Sequence, residues 1–425
     1  MKQTADNKAP AASHGKAVVA RHPICDRDQN TFAYELLFRK PEETFATIDN
    51  ADRATAQVIV NSFMEIGLDR MAGKSTAFIN VTREFILENY CRSLPKDRVV
   101  FEILEDTHVD ADLLTAVDKL TQDGYVFALD DYAFEERMQP LLPYCRFIKV
   151  DARQTQLDVV ANKIGALRQF PVKLLAEKVE TVVEFDFYKE EGFEYFQGFF
   201  FCKPRIFSSA RISRNRVAVC RLLAKLHQPD VNTHDIEAIV SEDLSLTYQL
   251  LRFINSAAIA LPKQIESIGH AVRLVGTDQI KLLASLMMLA SVDEKPQELL
   301  TTSLVRARMC ELVAQQYNYP NANAHFTVGL FSTLDAFLDC RLDEALKLLP
   351  LSDAIRGALL SYEGQLGSVL KRVLSYETGD WKALDGLRAD PAPLGHAYLR
   401  AVEFCENLMQ QINAIANPGM ISRPT

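Results

Sequence analysis

The chain has 425 residues, 48% of them hydrophobic and 24% charged, with a formal net charge of −9. That length is too great for one compact core and comfortable for two domains. The acidic balance excludes a nucleic-acid surface as the main business, because a phosphate backbone needs a basic footprint.

Residues 1–16 lack an apolar signal core and read as a disordered leader. Eight cysteines run from Cys25 to Cys405 without a C-x-x-C pair, which reads as reduced thiols in a cytoplasmic protein. No stretch approaches the roughly 18 apolar residues of a membrane span, so no membrane partner is expected.

From 17 to 205 strand signals alternate with helical ones. Strands are expected at 17–20, Phe32–Leu37, Thr76–Ile79, Val99–Glu102, 126–129, Phe147–Val150, Val172–Ala176 and Glu194–Phe200. Helical periods fall on Asp52–Leu68, Glu84–Leu94 and the stretch between Glu102 and Asp130. Alternation of this kind implies a parallel sheet, and eight units suggest a closed TIM-type (β/α)8 barrel. An open doubly wound sheet would carry a glycine-rich phosphate turn after the first strand, and none is present.

Polar residues gather at or near the strand ends: Glu35, Asn80, Glu102, Asp130, Asp131, Lys149, Glu177 and Gln197. Any one of them is most simply a solvated strand end or a cap. Together they place five carboxylates, two amides and one lysine toward one rim, the end of a barrel where chemistry sits. Oxygen ligands of this kind suit hard divalent cations. A pair of cations there would serve phosphodiester hydrolysis, with a lysine beside them to orient water or offset developing charge.

At these residues the segment resembles the EAL domain, the cyclic di-GMP phosphodiesterase family of bacteria. The E-x-L-x-R signature stands as Glu35-Leu36-Leu37-Phe38-Arg39, with Leu36 where the family usually has alanine. Asn80 matches the family asparagine, Glu102 and Glu105 the E-x-x-E segment, and Asp130–Asp131 the paired aspartates. Lys149-Val150-Asp151, the run from Ala176 to Thr181, and Gln197-Gly198-Phe199 with Lys203-Pro204 complete the ordered set. The resemblance implies that Glu35, Asn80, Glu102 and Asp130 are metal ligands and that Asp131 holds a second metal. It implies two Mg²⁺ or Mn²⁺ ions, catalytic roles for Glu35, Lys149 and Glu177, and ligand-binding roles for Arg39, Gln197 and Glu180.

The chain also departs from the family. The family's D-D-F-G-T-G loop couples metal binding and dimerisation to catalysis, and here it continues Tyr132-Ala133-Phe134-Glu135-Glu136-Arg137 without either glycine. His22 stands for a glutamine, Arg146 for an aspartate and Lys178 for the glycine of A-E-G-V-E. Metal binding survives these changes better than fast turnover, and a homodimer stays open.

After Pro204 the strand signals stop and helices follow to about 415. Helical patterns fall on Arg211–His227, a segment capped by Thr233, Leu246–Ala258, Ile268–Val275, Asp278–Ala290, Leu299–Tyr317 and His325–Asp339. Ser241–Ala257 and Gln264–Leu289 resemble the HDOD domain, a helical relative of HD phosphohydrolases that usually lacks their metals. His234–Asp235 sits at a helix start, where an aspartate suits the dipole. His270 and His325 read as packing or surface residues, and Pro391-Ala392-Pro393 as a loop.

The expected organisation is a leader (1–16), an EAL-like barrel (17–205), an HDOD-like helical domain (206–415) and a tail (416–425). The expected function is cyclic di-GMP signalling: the barrel binds cyclic di-GMP at a two-metal site, hydrolysis there is left open with the altered Tyr132–Arg137 loop arguing for low or no turnover, and the helical half docks signalling proteins. The alternative is a catalytically silent adaptor acting through protein contacts.

Overall fold

The computed structural model describes residues 18–39, 59–60, 62–64, 66–154, 157–203, 222–223, 225–226, 231–255, 265–290, 295–347, 349, 351–387 and 389–416. Its first half is a closed barrel of strands β1 (Val19–Asp26), β2 (Thr31–Phe38), β3 (Thr76–Val81), β4 (Val99–Ile103), β5 (Val126–Leu129), β6 (Cys145–Asp151), β7 (Lys173–Glu177) and β8 (Tyr195–Gln197). Strands β2 to β8 pair in parallel, as expected.

Strand β1 does not follow the all-parallel expectation: it runs antiparallel to both β2 and β8. The reason is local. Asp26 Oδ1 accepts from the amides of Asp28 and Asn30, both at 2.9 Å, and Gln29 adopts φ +62°. This closes a short turn, and a turn of that length can only reverse the chain, since a parallel return needs a crossover helix. The first strand is also longer than the apolar run at 17–20 implies, because Arg21 and His22 continue it.

Eight residues, one from each strand, form a core cluster of their own inside the barrel: Ile24, Ala33, Phe78, Val100, Ala128, Phe147, Leu175 and Tyr195. Side chains alternate along a strand with period two. The next inward positions toward the C-terminal ends of the parallel strands are therefore Glu35, Asn80, Glu102, Asp130, Lys149, Glu177 and Gln197. On the reversed β1 the equivalent position is His22. The apolar layer is the floor, and the polar ring stands one layer above it.

Outside the strands lie α1 (Leu68–Ala72), α2 (Arg83–Leu87), α3 (Ala111–Gln122), α4 (Leu157–Leu167) and α5 (Val182–Glu190). Thr181 and Glu184 form a reciprocal capping box at the start of α5. The helix expected over Glu84–Leu94 breaks after α2: Asn89 takes φ +61° and a 3-10 turn follows at Tyr90–Ser93. Most of the expected helix at Asp52–Leu68 lies outside the described residues, as does nearly all of Arg211–His227.

The second half is helical: α6 (Thr233–Ser241), α7 (Leu244–Ile254), α8 (Ile268–Val275), α9 (Thr277–Ala290), α10 (Gln297–Gln316), α11 (Ala322–Phe331), α12 (Leu334–Leu338), α13 (Leu342–Lys347), α14 (Asp353–Ser361), α15 (Gly364–Glu377), α16 (Trp381–Gly386) and α17 (Pro391–Ala416). The cap of α6 is Asn232, not Thr233, because Asn232 and Asp235 satisfy each other's backbone amides. The single helix expected over His325–Asp339 is two, divided at Ser332–Thr333. Pro391 does not mark a loop: it opens α17, since the first turn of a helix needs no intrahelical amide donors.

Helices α10, α15 and α17 close against the β1–β2 hairpin. Tyr376 donates to the Val19 carbonyl (2.8 Å), and Arg21 reaches the Met71 carbonyl and Glu406, both at 3.1 Å. Thr31 donates to buried Glu298 at 2.7 Å, and Tyr34 to the same oxygen at 3.3 Å.

Candidate active site at the barrel rim

Lys149 is the centre of the ring. It is fully buried, and its Nζ lies 2.5 Å from Glu102, 2.7 Å from Asp130, 2.9 Å from Glu177 and 3.5 Å from Glu35. Gln197 Nε2 donates to Glu35 Oε2 at 2.5 Å, and Asn80 Nδ2 donates to Glu35 Oε1 at 2.8 Å. The register pairs Asn80 directly with Glu102 on the neighbouring strand.

One ammonium faces four carboxylates, and the ionisation follows from that imbalance. Burial would lower Lys149, but Asp130, Glu102, Glu177 and Glu35 outweigh it and raise the ammonium well above the usual lysine range. Burial and the neighbouring Glu35 push Glu102 well above the usual carboxyl range. Burial and Asp130 do the same to Glu177. Burial also opposes the ionised form of Asp130, yet the Lys149 charge and a hydrogen bond from Glu177 hold it below the usual value. Like charges confined out of water cannot all ionise, so protons stay on the groups least compensated.

Several oxygens in the ring have no hydrogen-bond partner among the described residues: Asn80 Oδ1, Gln197 Oε1 and both oxygens of Glu102. Asp130 Oδ1 and Glu177 Oε1 are in the same position, and these two with Glu102 Oε1 meet Lys149 as ion pairs. Buried oxygens are normally satisfied. Carbonyl and carboxylate oxygens are the donor type of a hard divalent cation. Glu35, Asn80, Glu102 and Asp130 supply oxygens of that chemistry, while among the described residues the carboxylates whose oxygens lie within 4.8 Å of one another are Glu105, Asp130 and Asp131.

Asp131 belongs to a different environment. It takes φ +42° and turns both carboxylate oxygens to Lys178 Nζ, each at 3.1 Å. The same ammonium donates to Asp151 Oδ2 at 2.5 Å. Burial lowers Lys178, but the hydrogen bonds and charges of Asp151 and Asp131 raise it above the usual range. Carboxylate oxygens of Glu105, Asp130 and Asp131 lie within 4.8 Å of one another.

Arg39 and Glu180 do not join the ring. Arg39 pairs with Asp385 of α16 at 2.9 Å, and Glu180 pairs with Arg153. Three residues that the sequence left without a role lie at the site. His22 completes the ring from β1 and donates through Nε2 to the Glu377 carbonyl at 3.0 Å. Burial lowers its imidazole below the ordinary value and keeps it neutral. Asp151 and Lys178 form the second ion-pair cluster. The available signal was substitution against the family motif at positions 22 and 178.

The EAL domain family matches residues 9–204, and the HDOD domain family matches residues 215–358. Cyclic di-GMP phosphodiesterase CdgJ of Vibrio cholerae is 35% identical over 376 residues, 86% of this chain and 86% of that protein. The uncharacterized protein YuxH of Bacillus subtilis is 32% identical over 405 residues, 93% of this chain and 99% of its own. Among solved structures, a calcium and cyclic di-GMP complex of Klebsiella pneumoniae BlrP1 matches with 21% identity and a TM-score of 0.39, covering 47% of this chain and 58% of that one. By its identity to these full-length relatives, the chain belongs to the EAL family, in the form that carries an HDOD domain behind the barrel.

Proposed function

We propose that the barrel binds cyclic di-GMP at its C-terminal rim and cleaves one phosphodiester bond there, and that the helical half passes the bound state to protein partners. The observation that carries this is the ring of Glu35, Glu102, Asp130 and Glu177 around Lys149, with unsatisfied oxygens of Asn80 and Glu102 left for a cation. The kinship with CdgJ supports the choice of substrate.

On this reading Glu35, Asn80, Glu102 and Asp130 hold Mg²⁺ or Mn²⁺. When bound, the cation offsets charge developing on the phosphodiester oxygens. Lys149 stays protonated and adds a fixed positive charge at the same point. Glu177, beside Lys149 and Asp130, is the carboxyl that would take the proton of an attacking water once its own proton has been given up. Gln197 and Asn80 fix the Glu35 carboxylate so that it does not reorganise during the step. We assign 17–205 to the barrel module and 206–415 to the helical module.

A second reading, a receptor without turnover, is favoured by the loop after Asp131. Its Phe134 takes φ +61°, a conformation glycine adopts freely and phenylalanine does not. The test is incubation of full-length protein with cyclic di-GMP and Mn²⁺, following nucleotide binding and linear product. Product that falls at least 100-fold in Glu35→Ala supports the phosphodiesterase. Binding without product selects the receptor. Neither binding nor product removes both.

A further inference from the structure

Lys178 has a left-handed backbone, φ +55°, which is costly for a residue with a Cβ. The turn around it is held firmly. The Val179 amide donates to the Gln197 carbonyl at 3.0 Å, and Gly198 packs so close that a Cβ there would lie 2.1 Å from the Val179 carbonyl oxygen. In that turn the lysine side chain makes two ion pairs. Its ammonium bridges Asp131 and Asp151, with both oxygens of Asp131 at 3.1 Å and Asp151 Oδ2 at 2.5 Å.

Asp131 is the carboxylate through which a second divalent cation would be held, alongside Asp130 and Glu105. A Mg²⁺ or Mn²⁺ ion needs carboxylate oxygens at about 2.1 Å. With Nζ already 3.1 Å from both oxygens of Asp131, the ion and the ammonium would share one carboxylate at close range. Around Lys149 four carboxylates face one ammonium and leave negative charge for an ion, whereas the Lys178 ammonium is already matched to Asp131 and Asp151. The residues fit one divalent cation and do not fit two.

The geometry points to Lys178 as a built-in replacement for the second divalent cation, so that the chain loads one ion on Glu35, Asn80, Glu102 and Asp130 and keeps its own positive charge at Asp131. The inference rests on the proposed reading of those four residues as a cation site. It makes Lys178 a positioning residue for whatever approaches the rim beside Asp131.

The test counts metal directly, without activity. Full-length wild type, Lys178→Met and Lys178→Gly are dialysed against Mn²⁺ and the bound ion per chain is measured. The glycine variant relieves the φ +55° backbone, and the methionine variant keeps the side-chain bulk without the charge. One ion in the wild type and two in both variants, with the second site at least tenfold tighter than any second site in the wild type, is the expected result. Two ions of similar affinity in the wild type, or a single ion in all three proteins, overturns the role of Lys178 alone. No ion in the wild type, or binding untouched by Glu35→Ala, removes the cation-site reading, and the inference with it.

Discussion

At the scale of single residues, the cations at and near the rim are answered by carboxylates. Lys149 has four carboxylates, Lys178 has two, and Arg306 holds Glu377 through both oxygens, at 2.9 and 3.1 Å. His325 shows the opposite solution, a neutral group kept neutral. It is 2% exposed and stacks on Tyr319 at 6.0 Å. Its Nδ1 faces the Asn321 carbonyl at 3.3 Å, and its Nε2 has no partner among the described residues. A carbonyl can only accept, so the ring proton sits on Nδ1 and Nε2 stays bare. Burial lowers this imidazole below its ordinary value of 6.5. Above that value both folded and unfolded chains hold a neutral ring. Below it the unfolded chain takes the proton first, so stability is lost as pH falls from about 6.5 toward the depressed folded value. Urea midpoints at pH 7.5 and 5.5 should therefore differ more for wild type than for His325→Phe. An unchanged difference would remove the assignment. His22 has the same sign and leaves a residual slope in the variant.

At the scale of elements, close packing is carried by glycine at one decisive place. Helices α10 and α11 approach so tightly at Gly329 that a Cβ there would lie 2.5 Å from the Ala307 Cα and 2.8 Å from the Ala307 amide. Backbone cannot move aside as a side-chain tip can. Gly329→Ala should cost about 1–3 kcal/mol by overpacking. Gly165 in α4 has open space around its missing Cβ, so Gly165→Ala should instead gain about 0.5–1 kcal/mol from helix propensity. Chemical denaturation of the two variants compares them directly, and a shift of the same sign in both would contradict the packing argument. The β1–β2 hairpin is the other decisive element. Its reversal removes a crossover helix from that edge, and α10, α15 and α17 supply the cover.

At the scale of the whole molecule, the barrel and the helical half are joined by polar contacts that neither would make alone. His22 of the barrel ring donates to the backbone of Glu377, whose side chain is held by Arg306. The path from the rim to the helical half is thus three residues long. Arg306→Met would leave the Glu377 carboxylate buried without its partner, a loss of about 3–5 kcal/mol. Trp381, the single tryptophan, reports on the helical half. Its fluorescence and the far-UV circular dichroism of the whole chain should shift to lower temperature together in this variant. A shift in fluorescence alone would mean that the halves unfold independently.

Much of this protein was legible in its sequence because periodicity and motif order are local properties. Apolar runs ending in carboxylates announced strands and a rim, and ordered motifs from Glu35 to Pro204 pointed to the family before any coordinate. The helical half was visible in its apolar spacing. The reversal of β1 was not, because it depends on a few backbone hydrogen bonds to Asp26. The helical start at Pro391 was not, because a proline looks like a breaker until its place in the first turn is known. Arg39 and Glu180 found partners that sequence spacing cannot name. Lys178 read as a lost glycine, and only the tertiary structure turned that loss into a charge placed between Asp131 and Asp151, residues 47 and 27 positions away along the chain. Sequence alone determined which groups are present and on which face of a strand they stand. Which charges meet was decided by barrel closure, since only that closure brings seven strands and the reversed eighth to a common rim.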